Sequence, residues 1–318
     1  MKKLEKDIKE NKDKNKKVKT NTEKTKKVKE NKYKYYEETI ISGTYPIVLS
    51  IWEGSKDKLN IIFLPGTMGY PQTYNAFLEP LSKLGYNIIG INFVSHGKSP
   101  RTKETFTADD LIENTIDTIT YVNAKFGDRI ILLGHSQGGI IASKVASIDP
   151  RIKAVLSHNV VMQEVEGSEA VVNINVKTTP VTVKIVQGLA KMAAKIMPKK
   201  QLKATDYISN VDECIEEHPG EFDHEIDPYA LQTYPLTMVS SLFCLDTKYL
   251  TDGSIKMPFY LLAAKVDEIF PYEYMKNCYK AINSKEKHFV PIDCDRHMSL
   301  THCPDIAIKT LVEIFDKY

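Results

Sequence analysis

Residues 134–139, Gly-His-Ser-Gln-Gly-Gly, stand between two apolar runs at 130–133 and 140–146. Ser136 gains nothing there for a hydrophobic core. The spacing fits a strand that turns sharply into a helix and presents a serine hydroxyl at the turn. Gly134, Gly138 and Gly139 permit the turn and a close helix–strand approach, and His135 completes the elbow. The helix N-terminus adds a positive dipole end. A serine hydroxyl is a weak nucleophile until a base takes its proton. The chemistry expected is therefore acyl transfer, if the chain also supplies a base, an acid to orient it and donors for an oxyanion.

Among eight histidines, His297 in the segment VPIDCDRHMSL (290–300) is the expected base, because it follows the last strand-like run. His135 abuts the nucleophile and points elsewhere in such a turn. His96 lies in an early loop, His158 ends a strand, His218 and His224 fall in an irregular insertion, and His288 begins the last strand. His302, five residues past His297, reads as a second, capping histidine. The orienting acid expected is Asp267 at the end of the run 259–267, with Glu268 beside it. The other place for an acid, after the run 152–159, offers no carboxylate before Glu164. Oxyanion donors are expected from the backbone N–H of Gln137 and from the loop after NIIFLPG (60–66), at Thr67 or Met68. Each such donor is worth about 3 kcal/mol in the transition state.

These residues need a scaffold that delivers several strand ends to one place. Segments 38–43 and 47–54 read as an opening antiparallel pair. The continuous apolar run 60–66, ending in Pro–Gly, reads as a strand buried on both faces, and further strands are read at 86–94, 129–136, 152–159, 257–267 and 287–293. Helical stripes separate them at 73–85, 108–127, 137–149, 272–282 and 305–315. Such alternation predicts an α/β fold with a mainly parallel central sheet flanked by helices. The pattern breaks over about 90 residues after 160, which predicts a helical insertion between two strands of the sheet. The expected organisation is a lysine-rich tail at 1–34, a core at 35–160 and 251–318, and a helical cap at 161–250.

The net charge of +2 conceals an asymmetry. Residues 1–34 hold fifteen lysines against six acidic residues, and the remainder holds 28 basic against 35 acidic. The tail has too few aliphatic residues to offset the entropy of ordering and is expected to be disordered. No apolar run reaches the ~18 residues of a membrane span, and the N-terminus lacks the apolar stretch of a secretory signal. Five cysteines without CxxC spacing suit a reducing compartment, with Cys294 and Cys303 as packing residues, so a cytoplasmic location is expected.

The order Ser136, Asp267, His297 on these strand ends resembles the α/β-hydrolase fold family, and the resemblance covers residues 36–318. Within that family GHSQGG is similar to the nucleophile elbow of the monoacylglycerol lipase, lysophospholipase and serine aminopeptidase-like group. NFVSHGKS (92–99) resembles its Asp-x-x-Gly-His-Gly-x-Ser loop, with Asn92 and Ser95 as departures. Pro65 replaces the histidine usual before Gly66, and Ala264 replaces a glycine three residues before the acid. The resemblance implies a serine hydrolase that works through a Ser-His-Asp triad and an acyl-enzyme. It implies a small-molecule ester or lipid-like substrate, and a cap that forms the acyl side of the pocket.

Within the cap, Ile185, Val186, Leu189, Met192, Ala193, Ile196 and Met197 share helical spacing, with lysines elsewhere on the turn. The first expectation is that this stripe packs over the site, with Leu189, Met192 and Ile196 touching substrate. The other is transient contact with a membrane surface, through this helix or the basic tail. Segment 218–224, HPGEFDH, has no recognised metal spacing and its Pro–Gly marks a turn, so neither metal nor cofactor is expected. A nucleic-acid partner is not expected either. A peptidase, an acyltransferase and a non-enzymatic ligand-binding protein on the same fold stay open, because loops and cap decide the leaving group.

Overall fold

The computed structural model describes residues 33–55, 57–171, 179–217 and 227–318. The lysine-rich tail up to residue 32 and the segment 218–224 therefore lie outside the described residues.

Strands β1 (Lys34–Ser42) and β2 (Tyr45–Glu53) form a hairpin, and β3 (Asn60–Leu64) follows. Helix α1 (Asn75–Lys83), β4 (Asn87–Asn92), α2 (Ala108–Phe126), β5 (Ile130–His135), α3 (Gln137–Ala146) and β6 (Ala154–His158) continue the alternation. Between β6 and the next strand of the sheet come helix α4 (Pro180–Ile196), the two-residue strands β7 (Gln201–Leu202) and β8 (Tyr234–Pro235), α5 (Val211–Glu217) and α6 (Leu236–Phe243). The core resumes with β9 (Phe259–Ala264), α7 (Tyr272–Ala281), β10 (Lys287–Ile292), the short α8 (Ser299–His302) and α9 (Pro304–Phe315).

The eight-stranded sheet has the order β1-β2-β4-β3-β5-β6-β9-β10. The pairs β1–β2 and β2–β4 are antiparallel and the others are parallel. Strands β3, β4, β5, β6 and β9 are buried along their whole length, as expected for strands covered on both faces. Their side chains alternate between two cores. Ile62, Ile89, Leu132, Val155 and Leu261 face a core shared with α2, α3 and α7. Ile61, Ile88, Leu133, Leu156 and Leu262 face one shared with α1 and α9. Each fully buried aliphatic side chain contributes about 1.5–3 kcal/mol relative to exposure. Parallel pairing brings the C-terminal ends of β3, β5, β6, β9 and β10 to one end of the sheet.

One finding departs from the sequence reading. Cys294 and Cys303 are joined by a disulfide across nine residues, with Cα atoms 6.1 Å apart. The loop after β10 folds back on itself around His297, and this return brings the two cysteines within bonding range. The pairing removes the cysteine-based argument for a reducing compartment, while Cys214, Cys244 and Cys278 take no part in a disulfide. No helix among the described residues is long and apolar enough to cross a membrane.

The packing of α3 against the sheet is tight enough to dictate glycine. A Cβ on Gly138 would lie 2.1 Å from the Leu64 carbonyl oxygen, and one on Gly134 would lie 2.1 Å from that of Gly138. Backbone stands on both sides, so nothing can move aside. Gly138→Ala is expected to cost about 3 kcal/mol or more, at the upper end of overpacking penalties. Urea unfolding of the variant measures this, and a midpoint equal to that of the unmodified chain would contradict the contact.

Candidate active site

Ser136 sits at the junction of β5 and α3 with φ 53° and ψ −122°. Positive φ in a residue that carries a side chain costs about 1–3 kcal/mol and persists only where the surroundings impose it. Here the Ser136 N–H donates to the His158 carbonyl at 2.8 Å, and the Ser136 carbonyl accepts from Gly139 N–H at 2.8 Å. These bonds fix the turn from both sides. Ser136 borders two openings. One is an apolar cavity of about 230 Å³ whose lining includes Thr67, Gln137, Ile140, Val186, Leu242 and Phe270. The other is a chamber of about 40 Å³ bordered by Gly66, Tyr74, His135, Ile208, His297 and Met298.

His297 borders the smaller chamber together with Ser136. Its Nδ1 lies 3.1 and 3.0 Å from the two carboxylate oxygens of Asp267, and its ring stacks on Phe270 at 18°. Asp267 follows β9 and is 8% exposed. Its Oδ1 also accepts from the backbone N–H groups of Ile269 and Phe270, at 2.9 and 2.7 Å. Burial pushes this carboxyl up, but the His297 charge and hydrogen bond and the Phe270 N–H outweigh it, so it titrates below the ordinary range. Glu268 has a separate task. It accepts from the His297 backbone N–H at 2.6 Å and so fixes the loop rather than the ring.

The loop after β3 carries the two backbone donors considered for an oxyanion. Met68 has φ 60°, and its N–H donates to the Tyr234 hydroxyl at 2.8 Å. Tyr234 also accepts from the Gln137 side chain at 3.2 Å and meets His96 Nε2 at 2.7 Å. With two donors already directed at its oxygen, the Tyr234 hydroxyl donates its own hydrogen bond to His96 Nε2. The His96 Nδ1–H then donates to the Val94 carbonyl at 2.8 Å, which keeps the ring neutral. Met68 N–H is thus engaged. Thr67 borders the open cavity beside Ser136 and Gln137.

A second chain of hydrogen bonds ties the loop after β3 to the loop after β10. Gly66 N–H donates to the Tyr74 hydroxyl at 3.1 Å, and Tyr74 donates to His135 Nδ1 at 3.0 Å. His135 Nε2–H then donates to the His297 carbonyl at 3.1 Å. His158 contacts the Ser299 hydroxyl at 2.7 Å, and Asn159 donates to Asp267 Oδ2 at 3.4 Å. Sequence reasoning missed Tyr74, His158 and Asn159 as participants. Asn159 stands at the alternative acid position, which was the available signal. Tyr234 gave none, since it belongs to a two-residue strand inside the irregular insertion.

The cap residues fall differently from expectation. Leu189, Met192 and Ile196 are 58%, 59% and 70% exposed and border no part of the cavity. The face of α4 turned inward carries Val186 and Ala190, which line the cavity. Between them Gln187 donates to the Gln163 side chain at 2.8 Å and to the Phe243 carbonyl at 3.3 Å. The helix is apolar on two faces, and the smaller residues take the inner one because α6 packs closely against it.

Burial holds His96 and His158 down at about 4, and pushes His135 well below its ordinary value with help from the charges of His158 and His297. Unfolded, each ring titrates near 6.5. As pH falls from about 6.5 towards 4, the unfolded chain gains protons that the folded chain refuses, at about 1.4 kcal/mol per pH unit per ring. Asp267, depressed instead, loses its contribution only at lower pH. Stability from urea unfolding is therefore expected to drop by at least about 2 kcal/mol between pH 6.5 and 5. A change below about 1 kcal/mol would mean that the folded rings accept protons.

The family of serine aminopeptidases S33 matches residues 55–303 of the chain. A monoacylglycerol lipase from Paleococcus ferrophilus is similar in structure, with a TM-score of 0.64 at 17% identity, covering 89% of this chain and 98% of that one. A soluble variant of monoglyceride lipase from Saccharomyces cerevisiae, in complex with a substrate analogue, gives a TM-score of 0.63 at 14% identity, over 92% and 97% of the two chains. These likenesses show the fold, an α/β-hydrolase fold. The sn-1-specific diacylglycerol lipase ABHD11 of Danio rerio is 25% identical over 112 residues, or 33% of this chain and 32% of its own. The matched segment thus spans about a third of the length of this curated relative. With the family matched over most of its length, and with a serine elbow, a histidine and a buried carboxylate at the sheet edge, the chain belongs to the serine aminopeptidase S33 family of serine hydrolases.

Proposed function

We propose that the chain hydrolyses carboxylic esters with an apolar acyl group through Ser136, His297 and Asp267. The observation that carries this reading is the meeting of Ser136 with an apolar cavity on one side and His297 on the other. His297 takes the Ser136 proton as Oγ attacks the acyl carbonyl carbon. The oxyanion forms between the N–H groups of Gln137 and Thr67 in this reading, since Met68 N–H is held by Tyr234. His297 returns the proton to the departing alkoxide, and the alcohol leaves. Water, deprotonated by His297, then attacks the acyl-enzyme and releases the acid. Asp267 holds the ring through Nδ1 and stabilises the imidazolium while it exists.

Peptide substrates with a free α-amino group fit the lining less well. Among the described residues of the larger cavity the one carboxylate is Asp206, which already accepts from the Lys203 backbone N–H at 2.7 Å. An apolar acyl chain needs no such partner. The lipase names of the similar proteins point the same way.

Ser136→Ala is expected to abolish both p-nitrophenyl ester turnover and covalent labelling by a fluorophosphonate. Persistent labelling of that variant would move the nucleophile elsewhere. The cavity assignment has its own measurement, because Ala190 lines it from α4. Ala190→Phe is expected to shift the preferred acyl chain to shorter esters and to lower kcat/KM for long ones by about tenfold, the usual effect of about 1.4 kcal/mol in a pocket. An unchanged chain-length profile would place the acyl group outside this cavity.

A further inference from the structure

The base decides which side of the site takes the alcohol of an ester. A group that returns a proton to a departing alkoxide must stand within hydrogen-bond reach of the ester oxygen. His297 borders the chamber of about 40 Å³ and is no part of the lining of the cavity of about 230 Å³, whereas Ser136 borders both. With the acyl chain in the larger space, the alcohol therefore occupies the smaller one. An apolar cavity of about 150 Å³ takes up a benzene, which sets a scale of roughly 25 Å³ per heavy atom. On that scale the chamber has room for about two heavy atoms beyond the ester oxygen, and the cavity for about nine.

The polar side chains around the chamber are already committed to the protein. Thr67 donates to Gln137 Oε1 at 3.4 Å, and Thr73 donates to the Tyr70 carbonyl at 2.8 Å. The Tyr74 hydroxyl and His135 Nε2–H are spent on His135 Nδ1 and the His297 carbonyl. Ile208, Val211, Ile269 and Met298 add apolar wall. A glyceryl group is more than twice the size the chamber holds, and it brings two hydroxyls that would leave water for this wall. Such unmet hydroxyls are costly. We infer that the substrates are esters of small, unfunctionalised alcohols, methyl and ethyl esters, and not glycerides. Likeness of fold to lipases does not decide this, because loops and cap shape the alcohol side. The inference rests on the ester reading of Ser136 and His297 and adds the leaving group to it.

Octanoyl esters of methanol, ethanol, butanol and glycerol, offered to the full chain, test it through the release of octanoic acid. The butyl and glyceryl esters are expected to show kcat/KM at least about tenfold below that of the ethyl ester. Val211, the first residue of α5, lines the chamber and not the larger cavity. Val211→Ala is expected to raise the butyl-to-ethyl ratio of kcat/KM at least about fivefold. Val211→Leu is expected to lower the ethyl-to-methyl ratio by about the same factor. Each ratio is taken within one variant, so a loss of folded protein cancels. A glyceryl ester turned over as fast as the ethyl ester would overturn the inference and leave ester hydrolysis standing. So would ratios that neither variant moves. Turnover of no ester, with no fluorophosphonate label on Ser136, would remove the ester reading and this inference together.

Discussion

The conformation of Ser136 is the constraint on which the rest of the site depends. A serine at φ 53° is unfavourable alone, and it survives because a buried strand and a buried helix are pressed together around it. The pressing is possible only where glycine removes a Cβ, with Gly138 against Leu64 and Gly134 against Gly138. Parallel pairing of β3 with β5 and of β5 with β6 then sets the neighbouring loops at the same height as the turn. Ser136 thereby borders both the apolar cavity under the cap and the chamber it shares with His297.

Around that turn two chains of buried side chains pair their polar atoms with one another, while the buried Tyr207 hydroxyl at the cavity wall has no partner among the described residues. Tyr74, His135 and the His297 carbonyl form one chain, and His96, Tyr234 and Met68 form another. Each member spends its donors and acceptors on the next, so each histidine has one consistent tautomer. Low dielectric makes such chains stiff when complete and costly when broken. The first chain links the loop after β3 to the loop after β10. The second links the loop after β3 to the cap. Three loops that are far apart in sequence are therefore positioned by hydrogen bonds and not by packing alone. The disulfide between Cys294 and Cys303 adds a covalent tie around the loop that carries His297.

The cap carries two different surfaces on one helix. Its inner face closes a cavity with small and β-branched residues, and its outer face leaves aliphatic side chains in solvent. From periodicity the two cannot be told apart, since both recur at three and four residues. Leu189, Met192 and Ile196 belonged to the stronger stripe in the sequence, yet the neighbouring helix Leu236–Phe243 accommodates the weaker one. The physical reason is distance. A helix that packs closely over a sheet-edge cavity brings small side chains to the contact and leaves the large ones outside.

The sequence by itself determined the alternation of strands and helices, because continuous apolar runs and 3.6-residue stripes report directly on two-sided and one-sided burial. It also determined the serine elbow, whose glycines and flanking runs are contiguous, and it singled out His297 and Asp267 by their places after strands. Only the tertiary structure decided what joins residues far apart in the chain. It paired Asp267 with His297 and set Asn159 beside Asp267. It engaged Met68 with Tyr234, bonded Cys294 to Cys303, and chose the face of the cap helix that covers the cavity. Local patterns record which residues prefer burial or a turn. Partners across dozens or hundreds of residues are chosen by the register of the sheet and by hydrogen bonds that must be satisfied once water is excluded, and neither leaves a periodic mark on the chain.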